Sequence, residues 1–290
     1  MIEPALLQEL RTRYTEGRLI PFVGAGASMA VRWDVAGATR RGLSWTEVVD
    51  QACRILGFAD PDFLRVRGTD LQILEYFYLK QHSYGALTTW LTRELDAPDD
   101  ALLASRAHAA LAALTKCSIY YTTNYDDFLE RGLRLHGRPC ERIAIEAHIA
   151  EALQRAADDE NPQPGCQVVK FHGDLNHAVQ MVLSETHYED RLELNTPLDH
   201  RLRSDLLGRA LLFIGYSFRD PNVAYLFRRL QADLGPLPDT AHGHRAYIAV
   251  AEPSDFEYLL FRERNIDVIP ISAERQAEET AELLEAIANA

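Results

Sequence analysis

Two side chains in this sequence, Asn124 and His172, stand shortly after apolar runs of strand length and carry groups that can act on a sugar. The runs are residues 117–121 and 167–170. An amide can orient a hydroxyl or a water molecule, and a histidine can take up a proton near neutral pH. The competing interpretations are a helix cap at Asn124 or Asp126 and an ordinary core or surface histidine at position 172.

A glycine-rich loop, residues 24–28, follows the apolar run 19–23, and a second glycine segment, Gly215-Tyr216-Ser217, follows the run 210–213. Loop glycines let a ligand approach the backbone closely, and amides at a helix start can hold a pyrophosphate. The strict dinucleotide fingerprint would need a glycine where Met29 stands, and the lysine of a Walker loop is absent. A purely structural turn is therefore the competing interpretation of the loop.

Several other kinds of site are disfavoured by spacing. Arg219 replaces the second glycine of a hydrolase nucleophile elbow at Ser217, and the adjacent carboxylates Asp126 and Asp127 would diverge on a helix. No pair of cysteines has the C-x-x-C spacing of a four-thiolate zinc site, so no metal is expected. The four cysteines are Cys53, Cys117, Cys140 and Cys166.

The order of predicted elements indicates an α/β protein, with a Rossmann-like, mostly parallel sheet flanked by helices. Strands are predicted at 19–23, 117–121, 167–170, 210–215, 245–250 and 266–271, and helices include 126–136, 184–193, 196–209 and 221–234. The segments 29–40 and 156–165 are predicted as loops, the former as a mobile loop or lid. We expect a single domain over 1–290, with a core of about 15–30, 115–175 and 208–290 and helical insertions at about 41–115 and 176–209.

The amino-acid composition indicates which partners and which location to expect for this protein. The chain has 290 residues, and its 43 acidic and 30 basic residues give a net charge of −13, which disfavours direct nucleic-acid binding. It contains no apolar run of the roughly 20 residues that a membrane span needs, and its amino terminus lacks the pattern of a secretory signal. We therefore expect a cytoplasmic protein without membrane contact.

Taken together, the four segments resemble the sirtuin family, whose motifs are a Gly-Ala-Gly-x-Ser loop, Asn-x-Asp, His-Gly and Gly-x-Ser in this order. The resemblance implies an NAD-binding core and cleavage of the bond between nicotinamide and ribose. It assigns Asn124 to the ribose or the attacking water, His172 to the base, and Asp126 to the nicotinamide carboxamide. The remaining matched positions would surround the phosphates and ribose (Gly24, Ala25, Gly26 and Ser28) or line the adenosine side (Gly215 and Ser217).

Two departures separate the chain from the sirtuins that deacylate proteins. Residues 29–36 replace the Gly-Ile-Pro-Asp-Phe-Arg stretch, and the four-cysteine zinc module after His-Gly is missing. The segment 213–222 instead resembles the divergent, zinc-free sirtuin-like proteins of bacterial anti-phage systems, which destroy NAD, some of them with a HerA-type ATPase or an Argonaute-like protein.

This second resemblance implies an NAD hydrolase that yields nicotinamide and linear or cyclised ADP-ribose. It also implies NAD as substrate, a homo-oligomer, and a HerA-type ATPase or another defence protein as candidate partner. The alternatives left open are an NAD-dependent deacylase or ADP-ribosyltransferase, and a non-catalytic sensor of NAD or ADP-ribose.

Overall fold

The computed structural model describes residues 2–158, 165–192, 196–216 and 246–290. Its strands are β1 (Leu19–Val23), β2 (Arg32–Val35), β3 (Ala38–Arg41), β4 (Ile119–Thr122), β5 (Cys140–Ile143), β6 (Cys166–Lys170), β7 (Ala210–Ile214), β8 (Ala246–Ala251) and β9 (Ile266–Ile271). Seven of them form one parallel sheet in the order β5-β6-β4-β1-β7-β8-β9, and β2 pairs with β3 in an antiparallel hairpin. The predicted α/β fold with a parallel sheet is confirmed.

Helices connect the strands and cover the sheet. Before β4 they are α1 (Pro4–Thr15), α2 (Ala25–Met29), α3 (Trp45–Ile55), α4 (Asp62–Arg65), α5 (Asp70–Gln81), α6 (Gly85–Glu94), α7 (Asp99–Leu103) and α8 (Arg106–Ala113). After β4 they are α9 (Phe128–Leu135), α10 (Glu146–Asp158), the 3-10 helix Leu175–Gln180, α11 (Glu185–Leu192), α12 (Pro197–Asp205), α13 (Asp255–Glu263) and α14 (Gln276–Ala288). None of these described helices is long and apolar enough to cross a bilayer.

Both faces of the sheet are buried, as expected for strands that read as continuous apolar runs. Alternate residues of the central strand β1 enter different cores: Leu19 and Val23 pack on one face, and Ile20 and Phe22 on the other. A third apolar cluster fills the helical segment between β3 and β4 and includes Phe77. Phe128, at the start of α9, belongs to this third cluster, so α9 joins the helical segment to the sheet.

The prediction of an irregular loop over 29–40 is wrong, because this segment contains the β2–β3 hairpin. Its turn uses Ala36 and Gly37 at φ values of 51° and 81°, the pairing of positive φ angles that suits a two-residue hairpin turn. Trp33 anchors the hairpin by packing edge-on against Phe128 with ring centroids 5.9 Å apart. The strands are short and largely polar, which hides the period-two pattern in the sequence.

Other boundaries differ from expectation. Helix α9 begins at Phe128 rather than Asp126, and α10 occupies 146–158, so the predicted loop 156–165 starts too early. Strand β5 was not predicted, since Cys140-Glu141-Arg142-Ile143 is a short edge strand in which only Ile143 is fully buried. Some predicted features lie outside the described residues. They are the helix 221–234, the residues Ser217, His242 and His244, and the first residue of the strand 245–250.

Candidate functional site

Asn124 lies just after β4 and turns its side chain toward the glycine loop. Its Nδ2 donates to the Gly24 carbonyl oxygen at 2.9 Å and to Ser28 Oγ at 3.0 Å. Ser28 Oγ in turn donates to Asp126 Oδ2 at 2.8 Å. All three side chains are nearly completely buried. The structure therefore brings Ser28, which is distant in sequence, together with Asn124 and Asp126 in one directed chain of hydrogen bonds.

The interpretation of Asn124 as a helix cap is wrong. Helix α9 begins at Phe128, and the side chain of Asn124 makes its hydrogen bonds across the sheet instead. Asp126 does contact the helix start, since its Oδ1 accepts a hydrogen bond from the Phe128 amide at 3.1 Å. Asp126 thus accepts hydrogen bonds both from the start of α9 and from Ser28 in the candidate site.

The glycine loop packs directly against the chain that leaves β7. The Gly24 amide donates to the Ile214 carbonyl at 2.8 Å, and the Gly26 amide donates to the Gly215 carbonyl at 2.9 Å. A Cβ atom on Gly26 would lie 2.6 Å from Gly215 Cα, and Gly215 itself has a φ of +73°. Both amides are therefore used within the protein, and Ala25 and Gly26 are the part-exposed residues of this loop.

Tyr216 and Gly42 support the same loop, and sequence reasoning assigned neither of them a role. The Tyr216 hydroxyl lies 2.8 Å from Thr123 Oγ1, so it ties the exit of β7 to the exit of β4. A Cβ atom on Gly42 would lie 2.4 Å from the Ser28 carbonyl oxygen, to which the Gly42 amide donates at 3.2 Å. Gly42 stands just before Ser44 and Glu47, which form a capping box at the start of α3.

His172 lies at the same edge of the sheet as Asn124. Strands β4 and β6 are neighbours, with Thr122 in register with Lys170, and each candidate residue stands two positions beyond this pair. The His172 ring is 3% exposed and contacts Tyr188 edge-on at a centroid distance of 5.2 Å. Burial, with the positive charge of Arg191, lowers the pKa of His172 to about 3. The imidazole is therefore neutral at pH 7.

Arg191 fixes the segment around His172 and was not found from the sequence. Its Nη1 donates to Thr196 Oγ1 at 2.8 Å and lies 3.1 Å from Asp199 Oδ1, and Nη2 donates to the Phe171 carbonyl. The guanidinium also stacks 4.6 Å from the centroid of the Phe171 ring. A cavity of about 400 Å³ opens beside this arginine and is also lined by Gly173, Val182 and His187.

A buried ion cluster lies beneath Asp126. Lys170 is fully buried at the end of β6, and its Nζ donates to the Asp126 carbonyl and lies 3.6 Å from Glu130 Oε2. Burial raises the pKa of both Asp126 and Glu130, while the charge of Lys170 opposes that rise. A lysine inside an apolar strand was the available sequence signal, because a buried lysine needs a partner.

No group of three or more metal-ligating side chains with suitable placement occurs in the part of the chain that the structure describes. The site offers an amide, a neutral imidazole, a carboxylate and a part-exposed glycine loop at adjacent strand ends. Such hydrogen-bonding groups suit a sugar, and they stand at the carboxyl ends of the strands, where open α/β sheets bind ligands.

Comparison with known proteins also identifies a sirtuin-like family. Residues 118–269 match the model of the SIR2-like domain. The NAD(+) hydrolase ThsA of Acinetobacter baumannii (strain 532279) is 29% identical over 164 residues, which cover 56% of this chain and 32% of that protein. The proteins of the same name from Cytobacillus dafuensis and Bacillus cereus (strain MSX-D12) are 28% and 26% identical, over 79% and 73% of this chain.

The matched regions cover 32%, 41% and 39% of those three relatives, so the chain spans less than half of the length of each. The family match, by contrast, covers more than half of the present chain and includes both β4 and β6, which carry Asn124 and His172 at their ends. The chain belongs to the SIR2-like domain family.

Proposed function

We propose that this protein is an NAD hydrolase that cleaves the bond between nicotinamide and ribose and releases nicotinamide and ADP-ribose. The observation that carries the proposal is the hydrogen-bond chain from Asn124 through Ser28 to Asp126, set beside the glycine loop and one strand away from His172. The names of the relatives, NAD(+) hydrolase ThsA, support the same reaction.

Asn124 is the residue best prepared to orient the reacting sugar. Both hydrogens of its amide nitrogen are committed, to Gly24 and Ser28, so the amide cannot flip without losing two hydrogen bonds. Its Oδ1 atom is then presented as a fixed acceptor, for a ribose hydroxyl or for the attacking water. A pre-oriented acceptor lowers the entropy that must be lost in reaching the transition state.

The bond that breaks needs little help from an acid, because nicotinamide leaves a cationic pyridinium as a neutral molecule. Positive charge grows on the ribose instead, as in glycoside cleavage. Asp126 uses two of the roughly four acceptor sites of a carboxylate for Ser28 and Phe128, and the nicotinamide carboxamide is the proposed donor to another. Burial raises the pKa of Asp126, and the charge of Lys170 opposes that rise.

His172 is proposed as the base that receives the proton of the attacking hydroxyl or water. Its imidazole is neutral, as a base must be before it accepts a proton, but burial and Arg191 make the imidazolium unfavourable. A bound dinucleotide brings two phosphate charges, which would raise the pKa of His172 and so assist proton uptake. We infer that His172 acts only when the substrate is bound.

The low pKa of His172 also favours a second candidate, a non-catalytic sensor of NAD or ADP-ribose. Such a protein would bind the nucleotide without turnover, and the neutral imidazole would serve as a hydrogen-bonding group only. Tight binding of NAD with no release of nicotinamide would support this alternative over hydrolysis.

The proposal has four finer parts, and the sequence resemblance supports the defence role and the defence partner among them. The four parts are a role in bacterial anti-phage defence through NAD depletion, a cytoplasmic location, a homo-oligomeric assembly, and a HerA-type ATPase or another defence protein as partner. Cyclised ADP-ribose is an alternative product. Gly215 is proposed for the adenosine side together with Ser217, which lies outside the described residues.

The test is chromatography of NAD after incubation with wild type, Asn124→Ala and His172→Ala, each alone and with candidate ATPases. The wild type should release equal amounts of nicotinamide and ADP-ribose, and each variant should be at least about 100-fold slower, as expected for loss of an orienting group or a base. The exposed residues Asn289 and His200 provide matched controls, Asn289→Ala and His200→Ala, which should keep wild-type rates.

Two results would contradict the hydrolase. One is intact NAD with every partner supplied, and the other is an Asn124→Ala variant that is folded by circular dichroism and as active as the wild type. Release of nicotinamide only in the presence of an acyl-lysine peptide or a protein acceptor would instead favour the deacylase or ADP-ribosyltransferase.

A further inference from the structure

Two cysteines, Cys140 and Cys166, stand opposite each other at the amino ends of the neighbouring strands β5 and β6. They are register partners in this parallel pair, and both pack against the same apolar core on one face of the sheet. Adjacent strands lie about 4.7–4.9 Å apart. Disulfides form across Cα separations of about 4.4–6.8 Å. The expected separation of the two Cα atoms is therefore within the range that a disulfide requires.

The two thiols already influence each other. The contact with the Cys140 thiol, helped by the positive charge of Arg138, lowers the pKa of the Cys166 thiol. A lower pKa increases the fraction of thiolate, which is the nucleophile in thiol oxidation and exchange. In the present state each sulfur donates weakly to a backbone carbonyl, Cys140 to Glu130 at 3.3 Å and Cys166 to Pro139 at 3.7 Å.

A small oxidant can reach the pair from one side. Cys140 is part-exposed and lines a polar cavity of about 610 Å³ beside β5, with Arg134, Glu141 and Arg142 on its walls. Within the pair the two properties are divided: Cys166 is buried, and the hydrogen bond with Cys166, together with burial, raises the pKa of the part-exposed Cys140 thiol. Cys53 and Cys117 have no such partner opposite them on a neighbouring strand among the described pairs; both are buried, and burial raises the pKa of each, to about 12 for Cys117.

We propose that Cys140 and Cys166 are a redox-active pair that closes to an intramolecular disulfide when the protein meets hydrogen peroxide. One thiolate attacks a peroxide oxygen, the O–O bond breaks and hydroxide leaves, which gives a sulfenic acid. The second sulfur attacks this sulfenic sulfur, the S–O bond breaks and hydroxide leaves again. With the two thiol protons the hydroxides become water, so two thiols and one peroxide give one disulfide and two waters.

The pair is separate from the candidate active site. Asn124 and His172 follow the carboxyl ends of β4 and β6, whereas both cysteines stand at amino ends, on the opposite edge of the sheet. The proposal therefore holds or fails whether or not the protein hydrolyses NAD.

The experiment is peptide mapping of the native protein after treatment with hydrogen peroxide, alkylation of remaining thiols and digestion with trypsin without reductant. Arg134 separates Cys117 from Cys140, and Arg155 separates Cys140 from Cys166, so each cysteine falls on its own peptide. We expect the Cys140 and Cys166 peptides to appear linked, two of the four thiols to resist alkylation, and reduction with dithiothreitol to restore both.

Cys140→Ser and Cys166→Ser should each abolish the linked peptide, whereas Cys53→Ser should leave it unchanged. Four alkylated thiols after treatment would overturn the proposal, as would a link that involves Cys117, a link between two chains, or stable sulfinic acid at Cys140 without a link. If a serine variant fails to fold, the peptide map of the wild type alone decides between these results.

Discussion

His172 and His108 are histidines buried in the neutral form, and this has a consequence for acid stability. Burial lowers the pKa of His172 to about 3 and that of His108 to about 4, against an ordinary value of 6.5. At pH values between the lowered pKa of each histidine and 6.5, the unfolded chain binds a proton that the folded chain does not. The free energy of unfolding therefore falls as the pH drops below about 6.5. Each histidine contributes a slope of up to about 1.4 kcal/mol per pH unit.

We therefore predict that His172→Gln flattens the decline of the free energy of unfolding between pH 6.5 and about 4, measured by urea denaturation. The raised pKa values of Asp126 and Glu130 act in the opposite direction, since these groups favour the folded state as the pH falls, and they are present in both proteins. His200→Gln, at an exposed position, is the control and should leave the slope unchanged. Equal slopes for His172→Gln and wild type would contradict the burial argument.

Ser28, which is 2% exposed, is predicted to matter for activity through its hydrogen bonds to Asn124 and Asp126. Ser28→Ala removes the acceptor that holds Asn124 and a donor to Asp126, and should cost about 1–3 kcal/mol of stability. We expect NAD cleavage to fall at least about tenfold, because Asn124 would lose its fixed orientation.

The matched control is Ser105→Ala, another buried serine, which contacts His108 Nδ1 at 2.9 Å. It should lose comparable stability and retain NAD cleavage, measured as nicotinamide release per folded protein. A similar loss of activity in both variants would mean that Ser28 acts through stability alone.

Among individual residues, the sequence predicted more of the candidate site than of the residues that support it. Asn124, His172 and Ser28 follow strands and carry recognisable chemistry, so their meeting at one edge was predictable. Arg191 and Gly42 were not, because their roles depend on contacts with the Phe171 carbonyl and the Ser28 backbone that leave no local pattern. Lys170 gave a signal, a cation in an apolar strand, but its partner Glu130 lies on α9.

Among the elements, the contact between the glycine loop and the exit of β7 is the least tolerant of change. A Cβ atom on Gly215 would lie 2.7 Å from the Ala27 nitrogen, and the φ of +73° disfavours any L side chain. We predict that Gly215→Ala lowers the free energy of unfolding by about 2 kcal/mol or more, from the strain of a left-handed backbone and the backbone clash.

Gly208→Ala separates these two causes, because Gly208 has a φ of +81° but no atom within 4 Å of the added Cβ. This control should cost only about 1 kcal/mol. Denaturant midpoints of the two variants give the comparison. Equal midpoints would show that the loop gives way to the added methyl group.

The strands that form the sheet interior were predictable from sequence, since their continuous apolar runs are typical of parallel strands covered on both faces. The β2–β3 hairpin and strand β5 were missed for the converse reason. Arg32–Val35 exposes three of its four residues, and Cys140–Ile143 is an edge strand with a single fully buried side chain. Their place in the fold comes from tertiary contacts, such as Trp33 on Phe128.

For the molecule as a whole, binding and cleavage can be separated by thermal denaturation. A ligand that binds only the folded state raises stability, by about 2.7 kcal/mol at 100 times its dissociation constant. We predict that NAD raises the unfolding temperature of Asn124→Ala, which keeps the glycine loop but cleaves slowly, and that the rise grows with NAD concentration. Absence of any rise, with the variant folded, would mean that the variant does not bind NAD.

Because β1 lies at the centre of the sheet, the candidate site needs contacts with strands that the ribosome makes much later. The Gly24 amide finds its partner at Ile214, far later in the sequence, and β1 pairs with β7 over its whole length. A nascent polypeptide that ends before this point has a glycine loop with one flank open. The pocket therefore cannot be assembled, and the candidate site stays incomplete, until the ribosome has made β7.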